Sequence, residues 1–193
     1  MEKKITLGGV LTEGLNIGIK NVVPLILAYL LWVVTIWIPY INVGTTIAIA
    51  TIPIELSKGK VINPTFIFDA KYRQFMGEFF ILAGVMGIAI FIASWFFFIP
   101  AIVIGIAWSL AFYILLDKKI SPMEAIMLSN KATYGYKLTI FLINLILGIA
   151  IMIACGILVM IPFLGPILVL CCCILAAAVS SSCSAVIYRE LIG

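Results

Sequence analysis

The length, composition and charge of the chain exclude a soluble globular protein. Of its 193 residues, 65% are hydrophobic and 10% are charged, and the mean hydropathy is +1.30. Soluble domains have roughly 45–50% apolar and about 25% charged residues. The sequence therefore predicts an all-α integral membrane protein, with residues 1–193 forming a single transmembrane helical domain.

The first segment predicts an amphipathic helix and does not resemble a cleavable signal peptide. Polar residues follow Lys3 and Lys4 at short intervals and would interrupt the apolar region that a signal peptide needs. Between Leu7 and Ile19 the apolar residues fall close to one helical face. We expect this helix to lie in the membrane interface and to lead directly into the first span.

Three long runs without charged residues follow, each with an Ile-Pro pair near its middle. They are Asn21–Ile54, Phe79–Leu116 and Leu138–Tyr188. As one straight helix, the last run would be roughly 75 Å long, whereas the hydrocarbon core of a bilayer is about 30 Å thick. Each run therefore predicts two antiparallel spans that turn at Ile-Pro, giving six transmembrane helices in three hairpins.

The first hairpin leaves an alternative open. Its helices are expected near residues 22–38 and 43–56, which is short for a full span of about 20 residues. A re-entrant first hairpin, with four spans in total, therefore competes with six full spans.

Polar connectors precede the second and third runs, and each predicts an amphipathic helix. In the first connector, Asn63-Pro64 is typical of a helix start, and an apolar stripe from Phe68 to Phe79 suits the interface. In the second connector, Ser121-Pro122-Met123-Glu124 has the order of a capping box. Because each hairpin follows an amphipathic helix, we expect a threefold internal repeat with units of approximately 1–57, 58–119 and 120–193.

The cations predict the orientation of the chain. All 12 Lys and Arg residues lie in the connectors or at the chain ends, and the three Ile-Pro turns carry none. The positive-inside rule then places both termini in the cytoplasm of a multi-pass protein of the cell membrane. We expect the connector cations to contact anionic lipid head groups rather than nucleic acid. These cations are Lys58, Lys60, Lys71, Arg73, Lys118, Lys119, Lys131 and Lys137.

Two groups of polar residues are the candidate functional residues. Three carboxylates fall at expected span ends, where they are either interfacial side chains or the charged mouth of a pore: Glu55, Glu78 and Asp117. Within the spans, a second group forms either a packing face or a water-lined pore face: Asn144, Ser180, Ser181, Ser182 and Ser184. The serine-rich last helix is the best candidate for a water-facing surface.

The sequence shows no pattern of catalytic or metal-binding residues. It contains no histidine, and its five cysteines do not have the spacing of a metal site. No acid–base pair, nucleophile elbow or phosphate-binding loop is present. We therefore expect neither an enzyme nor a cofactor.

The segment from Ser121 to Lys137 resembles a known family. Ser121-Pro122-x-Glu124-Ala125, followed by Lys131 and Gly135-Tyr136-Lys137, is similar to an element of the membrane domain associated with glycerophosphoryl diester phosphodiesterases and its stand-alone prokaryotic relatives. The resemblance is firmest over residues 121–190. It implies a six-span helical membrane domain without the soluble enzymatic domain of those proteins.

Two functions are compatible with these features. The first is a homo-oligomeric pore or transporter-like subunit, with the serine-rich helix lining a path. The alternative is a structural protein that anchors to the membrane or senses lipid without transport. The first is favoured because so little soluble surface makes a poor scaffold for soluble partners.

Overall fold

The computed structural model describes residues 5–96 and 98–193, and this part of the chain is helical without strands. Its α-helices are α1 (Leu7–Lys20), α2 (Val22–Thr35), α3 (Ile41–Ala50), α4 (Ile52–Ser57), α5 (Met76–Phe96), α6 (Phe98–Ala107), α7 (Ala111–Lys118), α8 (Pro122–Thr133), α9 (Lys137–Val159) and α10 (Gly165–Ile192). Two 3-10 helices, Pro64–Phe68 and Ala70–Phe75, lie between α4 and α5. The predicted all-α fold class is confirmed. Lys3 and Lys4, which count towards the predicted orientation, lie outside the described residues.

Four helical stretches in the described residues are long and apolar enough to cross a membrane. They are Ala70–Phe96, Phe98–Lys118, Lys137–Val159 and Gly165–Ile192. The pair α1 and α2, bent by 77° at Asn21, would add a fifth. The helix lengths are thus those of a membrane-embedded protein with four to five candidate spans.

The helices of the first hairpin are short, as expected from the sequence. Helix α2 has 14 residues and the α3–α4 stretch, Ile41–Ser57, has 17, about 21 Å and about 26 Å at the rise of an α-helix. Both fall short of a hydrocarbon core of about 30 Å. A count of six full spans therefore does not follow from the helix lengths, whereas four long spans match the alternative with a re-entrant first hairpin.

Helix α10 is the centre of the packing, with α1, α4 and α9 against it. Helix α1 is buried along Val10, Gly14 and Gly18, a stripe of mostly small side chains that lets it approach α10 closely. Its larger residues Leu15 and Ile19 are exposed instead. The predicted amphipathic helix is present, but glycines form much of its protein-facing side.

The first connector differs from the expected amphipathic α-helix. Asn63 does cap a helix, since its side chain accepts a hydrogen bond from the backbone N–H of Thr65 at 3.2 Å. That helix is a short 3-10 turn, and Asp69 interrupts it with an extended backbone before the next one begins. The Asp69 carboxylate accepts from the N–H of Lys71 at 3.0 Å and so starts the second 3-10 helix. Two short 3-10 helices, each with its own N-cap, therefore take the place of the one expected α-helix.

The first and third Ile-Pro turns have the same backbone structure. The residues after the prolines, Tyr40 and Phe163, have φ values of 74° and 63°. In each turn the next N–H donates to the proline carbonyl, Ile41 N to Pro39 O at 3.0 Å and Leu164 N to Pro162 O at 2.8 Å. This is the hydrogen bond of a γ-turn with positive φ, which is rare and strained.

The second run contains an interruption that no proline marks. Its expected break at Ile99-Pro100 adjoins Phe97, which lies outside the described residues, and Pro100 itself falls in the first turn of α6. A second break follows between Ala107 and Ala111, where the backbone leaves the helical ladder. Ser129 of α8 forms hydrogen bonds with backbone groups at this break. Its hydroxyl donates to the carbonyl of Ala107 at 2.7 Å and accepts from the N–H of Leu110 at 3.3 Å.

Candidate functional site

Four hydroxyl side chains line one partly open pocket of about 260 Å³, here called the hydroxyl pocket. Tyr29 comes from α2, Ser109 from the break between α6 and α7, Tyr113 from α7 and Ser181 from α10. Three separate parts of the chain therefore contribute polar groups to a single space.

The hydroxyl groups are held by hydrogen bonds at the pocket wall. The hydroxyls of Tyr29 and Ser181 lie 2.5 Å apart, and Ser109 donates to the carbonyl of Ile106 at 2.8 Å. The Tyr113 hydroxyl lies near the side chain of Ser184. These bonds offset the cost of placing polar groups among apolar helices. Each hydroxyl oxygen keeps further capacity to accept or donate towards a bound molecule.

The rest of the described wall is apolar, and no charged residue is part of it. It consists of Ile49, Ala50, Pro53, Phe79 and Phe112. Such a mixture of apolar surface with a few convergent polar groups is typical of small-molecule sites.

The structure separates the serines of the last helix into different roles. Ser181 lines the hydroxyl pocket and Ser184 lies near Tyr113 in its wall. Ser182 is fully buried, donates to the carbonyl of Ala178 at 2.9 Å and faces Gly18 of α1. Ser180 is half-buried and is not among the residues that line the pocket.

Asn144 lies apart from these serines. It is exposed on α9, and its amide makes no hydrogen bond within the described part of the chain. Asn144 therefore does not belong to a packing face within residues 5–96 and 98–193.

Charged residues line a second pocket, of about 300 Å³, here called the connector pocket. Glu55, Lys58, Lys71, Asp117 and Lys119 all face it. Two of the three carboxylates singled out in the sequence, Glu55 and Asp117, thus come together.

The carboxylates of the connector pocket are paired. Asp117 contacts the ammonium group of Lys58 at 2.5 Å and accepts from the Tyr188 hydroxyl at 2.7 Å. Glu55 pairs with Lys60 at 2.9 Å. These contacts join α4, α7 and α10 at the connector side. The third carboxylate, Glu78, is exposed near the start of α5 and does not line this pocket.

Two cations of the first connector and one that follows α7 each have a different partner. Lys71 pairs with Asp69 at 2.9 Å, and its backbone N–H and ammonium group lower the pKa of the Asp69 carboxyl. Arg73 lies over the Tyr40 ring at 5.2 Å, and Lys119, which follows α7, lies over the Phe75 ring at 5.5 Å. The cations of this face are thus only partly neutralised by acids.

The remaining expected lipid-contacting cations lie on the surface. Lys118 and Lys131 are exposed, and Lys137 donates to the side-chain oxygen of Asn130 at 3.2 Å. None of the three lines the connector pocket.

The thiols do not form a metal site in the described part of the chain. All five cysteines there are free, and no three histidine, cysteine or acidic side chains lie close enough to hold an ion. Cys183 is buried against Gly14 of α1 rather than facing either pocket. Labelling at Ser181 therefore tests for a wet path better than labelling at Cys183.

Sequence reasoning missed the tyrosines of the hydroxyl pocket. Of the four hydroxyl residues that line this pocket, only Ser181 is among the candidates that the sequence indicates. The available signal was Tyr29 itself, a phenol in the middle of an apolar helix, because a buried phenol usually has a hydrogen-bond partner. Its partner could not be identified because Ser181 lies 152 residues further along the chain.

Comparison of this chain with protein-family models, curated proteins and solved structures found no match in any of the three.

Proposed function

We propose that the chain is a transporter-like or pore-forming subunit of the cell membrane, and that the hydroxyl pocket holds its solute. The proposal rests on one observation: Tyr29, Ser109, Tyr113 and Ser181 converge on one pocket among otherwise apolar helices. Ser181 lies seven residues before Tyr188, about 10 Å along α10 from the charged level of Asp117. Polar groups at such depth in a membrane are costly and most often serve a function.

The proposal includes the membrane topology of the chain. The cations in the connectors favour cytoplasmic termini, as the positive-inside rule requires. We favour four full spans and a re-entrant first hairpin over six spans. Six spans would place the first turn and the first connector about 30 Å apart, whereas Tyr40 and Arg73 are in contact.

Homo-oligomer formation is a further part of the proposal. Helices α5 and α9 are buried over only 11% and 6% of their most apolar stretch. Such surfaces pack against lipid or against a second copy, and exposed Asn144 on α9 favours a partner that can hydrogen-bond. The resemblance of residues 121–190 to phosphodiesterase-associated membrane domains supports a membrane role, and the proposal includes no catalytic step and no cofactor.

Cysteine labelling tests whether the hydroxyl pocket is wet. With the five native cysteines replaced by alanine, Ser181→Cys and Ser182→Cys are compared in lipid nanodiscs, using methyl methanethiosulfonate as a small uncharged reagent. We expect fast reaction at position 181 and slow reaction at position 182, whose native side chain is fully buried. Equal slow rates would overturn the proposed pocket.

Solute flux tests the transport function itself. Proteoliposomes are assayed with a panel of erythritol, alanine, rubidium and chloride, against protein-free liposomes. We expect uptake of at least one solute, reduced about tenfold or more by Tyr29→Phe combined with Ser181→Ala. Ser180→Ala, on the same helix but outside the pocket wall, is the matched control. Absence of uptake for the whole panel would contradict the transport proposal.

Lipid anchoring is the second candidate, and the outward-facing cations favour it. Lys118 and Lys131 are exposed, and the apolar residues Leu15 and Ile19 of α1 are exposed as well. If this is the function, phosphatidylserine in the nanodiscs raises the unfolding midpoint of the native chain. Lys118→Gln combined with Lys131→Gln would then remove that increase.

A further inference from the structure

The hydroxyl pocket and the connector pocket share three walls. On α7, Phe112 lines the first and Leu116 the second. Positions four apart on a helix lie about one turn, or 5.4 Å, apart along the axis. On the α3–α4 segment the two linings interleave, with Ala50 and Pro53 in the first and Thr51 and Ile54 in the second. The two pockets therefore follow one another along α7 and adjoin on the α3–α4 segment.

An aromatic pair lines the hydroxyl pocket on two of the shared walls. The third wall contributes Phe79 to the hydroxyl pocket and Phe75 to the connector pocket. The rings of Phe79 and Phe112 approach to 4.9 Å between centroids, tilted by 46°. Rings at this distance are in contact, and each ring lies four positions from a residue that lines the connector pocket.

The two pockets differ sharply in charge. Five charged side chains face the connector pocket, whereas the described lining of the hydroxyl pocket offers only neutral hydroxyls. An ion that moved inward would lose its charged partners and much of its water, which is energetically costly. An uncharged solute with several hydrogen-bonding groups exchanges its water for the hydroxyls at much smaller cost.

We infer that the connector pocket is the mouth of a path into the hydroxyl pocket, and that the Phe79–Phe112 pair is the constriction that admits small uncharged polar solutes and rejects ions. The inference rests on the proposed function and adds to it the solute class, the direction of entry and the selective residues.

Removing either ring tests the constriction. In proteoliposomes, the native chain is expected to pass erythritol but not rubidium, and Phe79→Ala or Phe112→Ala to raise rubidium flux about tenfold or more. Phe80→Ala is the matched control, because this neighbouring ring is exposed and lines neither pocket. Rubidium flux in the native chain, or equal flux in all three variants, would overturn the assigned selectivity. Slow labelling of Ser182→Cys by methyl methanethiosulfonate in each background confirms that the variant is folded, since the native side chain at this position is fully buried.

Blocking the mouth tests the route. Gln74 is exposed and lines the connector pocket, so Gln74→Trp should fill the mouth and slow erythritol flux at least fivefold. Glu78→Trp places the same bulk at an exposed position outside the pocket and should leave the flux unchanged. Equal flux in both variants would refute entry through the connector pocket.

These outcomes separate the inference from the proposed function. Loss of all panel fluxes in the native chain contradicts transport as such. Erythritol flux that is sensitive to Tyr29→Phe with Ser181→Ala, but insensitive to Gln74→Trp and to loss of the rings, leaves transport standing and refutes the path.

Discussion

The guanidinium group of Arg73, in the first connector, lies over the ring of Tyr40, in the first Ile-Pro turn, at 5.2 Å. The connection extends beyond this pair, because a methyl group at Gly44 would lie 3.0 Å from Cγ of the same arginine. The connector therefore lies along α3 and touches the turn that precedes it. A charged side chain is more stable in water or among lipid head groups than in the hydrocarbon core. The contact therefore supports the re-entrant first hairpin proposed above.

The first prediction concerns the side of the membrane that Tyr40 faces. In the cysteine-free chain, Tyr40→Cys should react with a membrane-impermeant maleimide from the same side as Val61→Cys in the connector. Phe163→Cys, in the third turn and 97% exposed, should react from the opposite side only. The measurement is labelling of oriented vesicles before and after permeabilisation. Labelling of positions 40 and 163 from one common side would refute the re-entrant hairpin.

The Arg73–Tyr40 contact should also contribute measurably to stability. Arg73→Gln is expected to lower the free energy of unfolding by about 0.5–1 kcal/mol, the usual size of an exposed cation–π contact. In a Tyr40→Leu background the same change should cost less, because the ring is gone. Unfolding midpoints in mixed SDS micelles measure both, and an equal cost in the two backgrounds would exclude the contact.

The second prediction concerns the repair of the break in the second run. Ser129→Ala would leave the buried N–H of Leu110 without its side-chain partner and remove a hydrogen bond to the carbonyl of Ala107. We expect a loss of about 1–3 kcal/mol, the cost of an unsatisfied buried group. Ser94→Ala is the control, since the half-buried Ser94 donates to the carbonyl of Phe91 in its own helix. Equal unfolding midpoints for the two variants would contradict this role of α8.

The third prediction concerns the docking of α1 on α10. A methyl group at Gly14 would lie 2.6 Å from the sulfur and 3.0 Å from Cα of Cys183. Gly14→Ala should therefore destabilise the chain by about 1–3 kcal/mol through overpacking. Gly8→Ala meets no atom within 4 Å and should be neutral or stabilising. Adding Cys183→Ala should rescue Gly14→Ala only in part, because the backbone contact stays; full rescue would place the clash in the thiol alone.

The fourth prediction concerns the pH dependence of the capping box at the start of α8. The Ser121 hydroxyl donates to the Glu124 carboxylate at 2.9 Å and its backbone N–H donates at 3.1 Å, and these bonds lower the pKa of Glu124. Since the folded pKa is lowered, the stabilisation is fully present above the unfolded value of about 4.3 and is lost as pH falls through the folded value.

Comparison with Glu124→Gln measures this effect. The unfolding midpoints of the native chain and the variant should differ at pH 7 and converge near pH 3. A difference between the native chain and Glu124→Gln that stays constant down to pH 3 would rule out the carboxylate as its source.

Features encoded by neighbouring residues could be predicted from the sequence. The capping box at Ser121 and the cap at Asn63 depend on residues two or three positions apart, and both are present. The long helices α9 and α10 follow from an apolar run interrupted at Pro162. The all-α class follows from the same runs.

Features that depend on distant residues could not be predicted. The break at Ala107–Ala111 contains neither proline nor glycine, and it is supported by Ser129, 22 residues after Ala107. The hydroxyl pocket joins Tyr29 to Ser181, and neither position reveals the other. The contact of Arg73 with Tyr40 needs a connector that runs back along α3, which no local pattern specifies.

The γ-turns at Tyr40 and Phe163 show that the reversal of chain direction and the length of a hairpin are independent of each other in this chain. One corner joins helices of 14 and 10 residues, and the same corner joins helices of 23 and 28 residues. Both turns place an aromatic residue at a positive φ, a backbone conformation that is unfavourable for an L-amino acid by roughly 1–2 kcal/mol. The two γ-turns should therefore be interchangeable between the two sites, while the lengths of the flanking helices determine how far each hairpin extends.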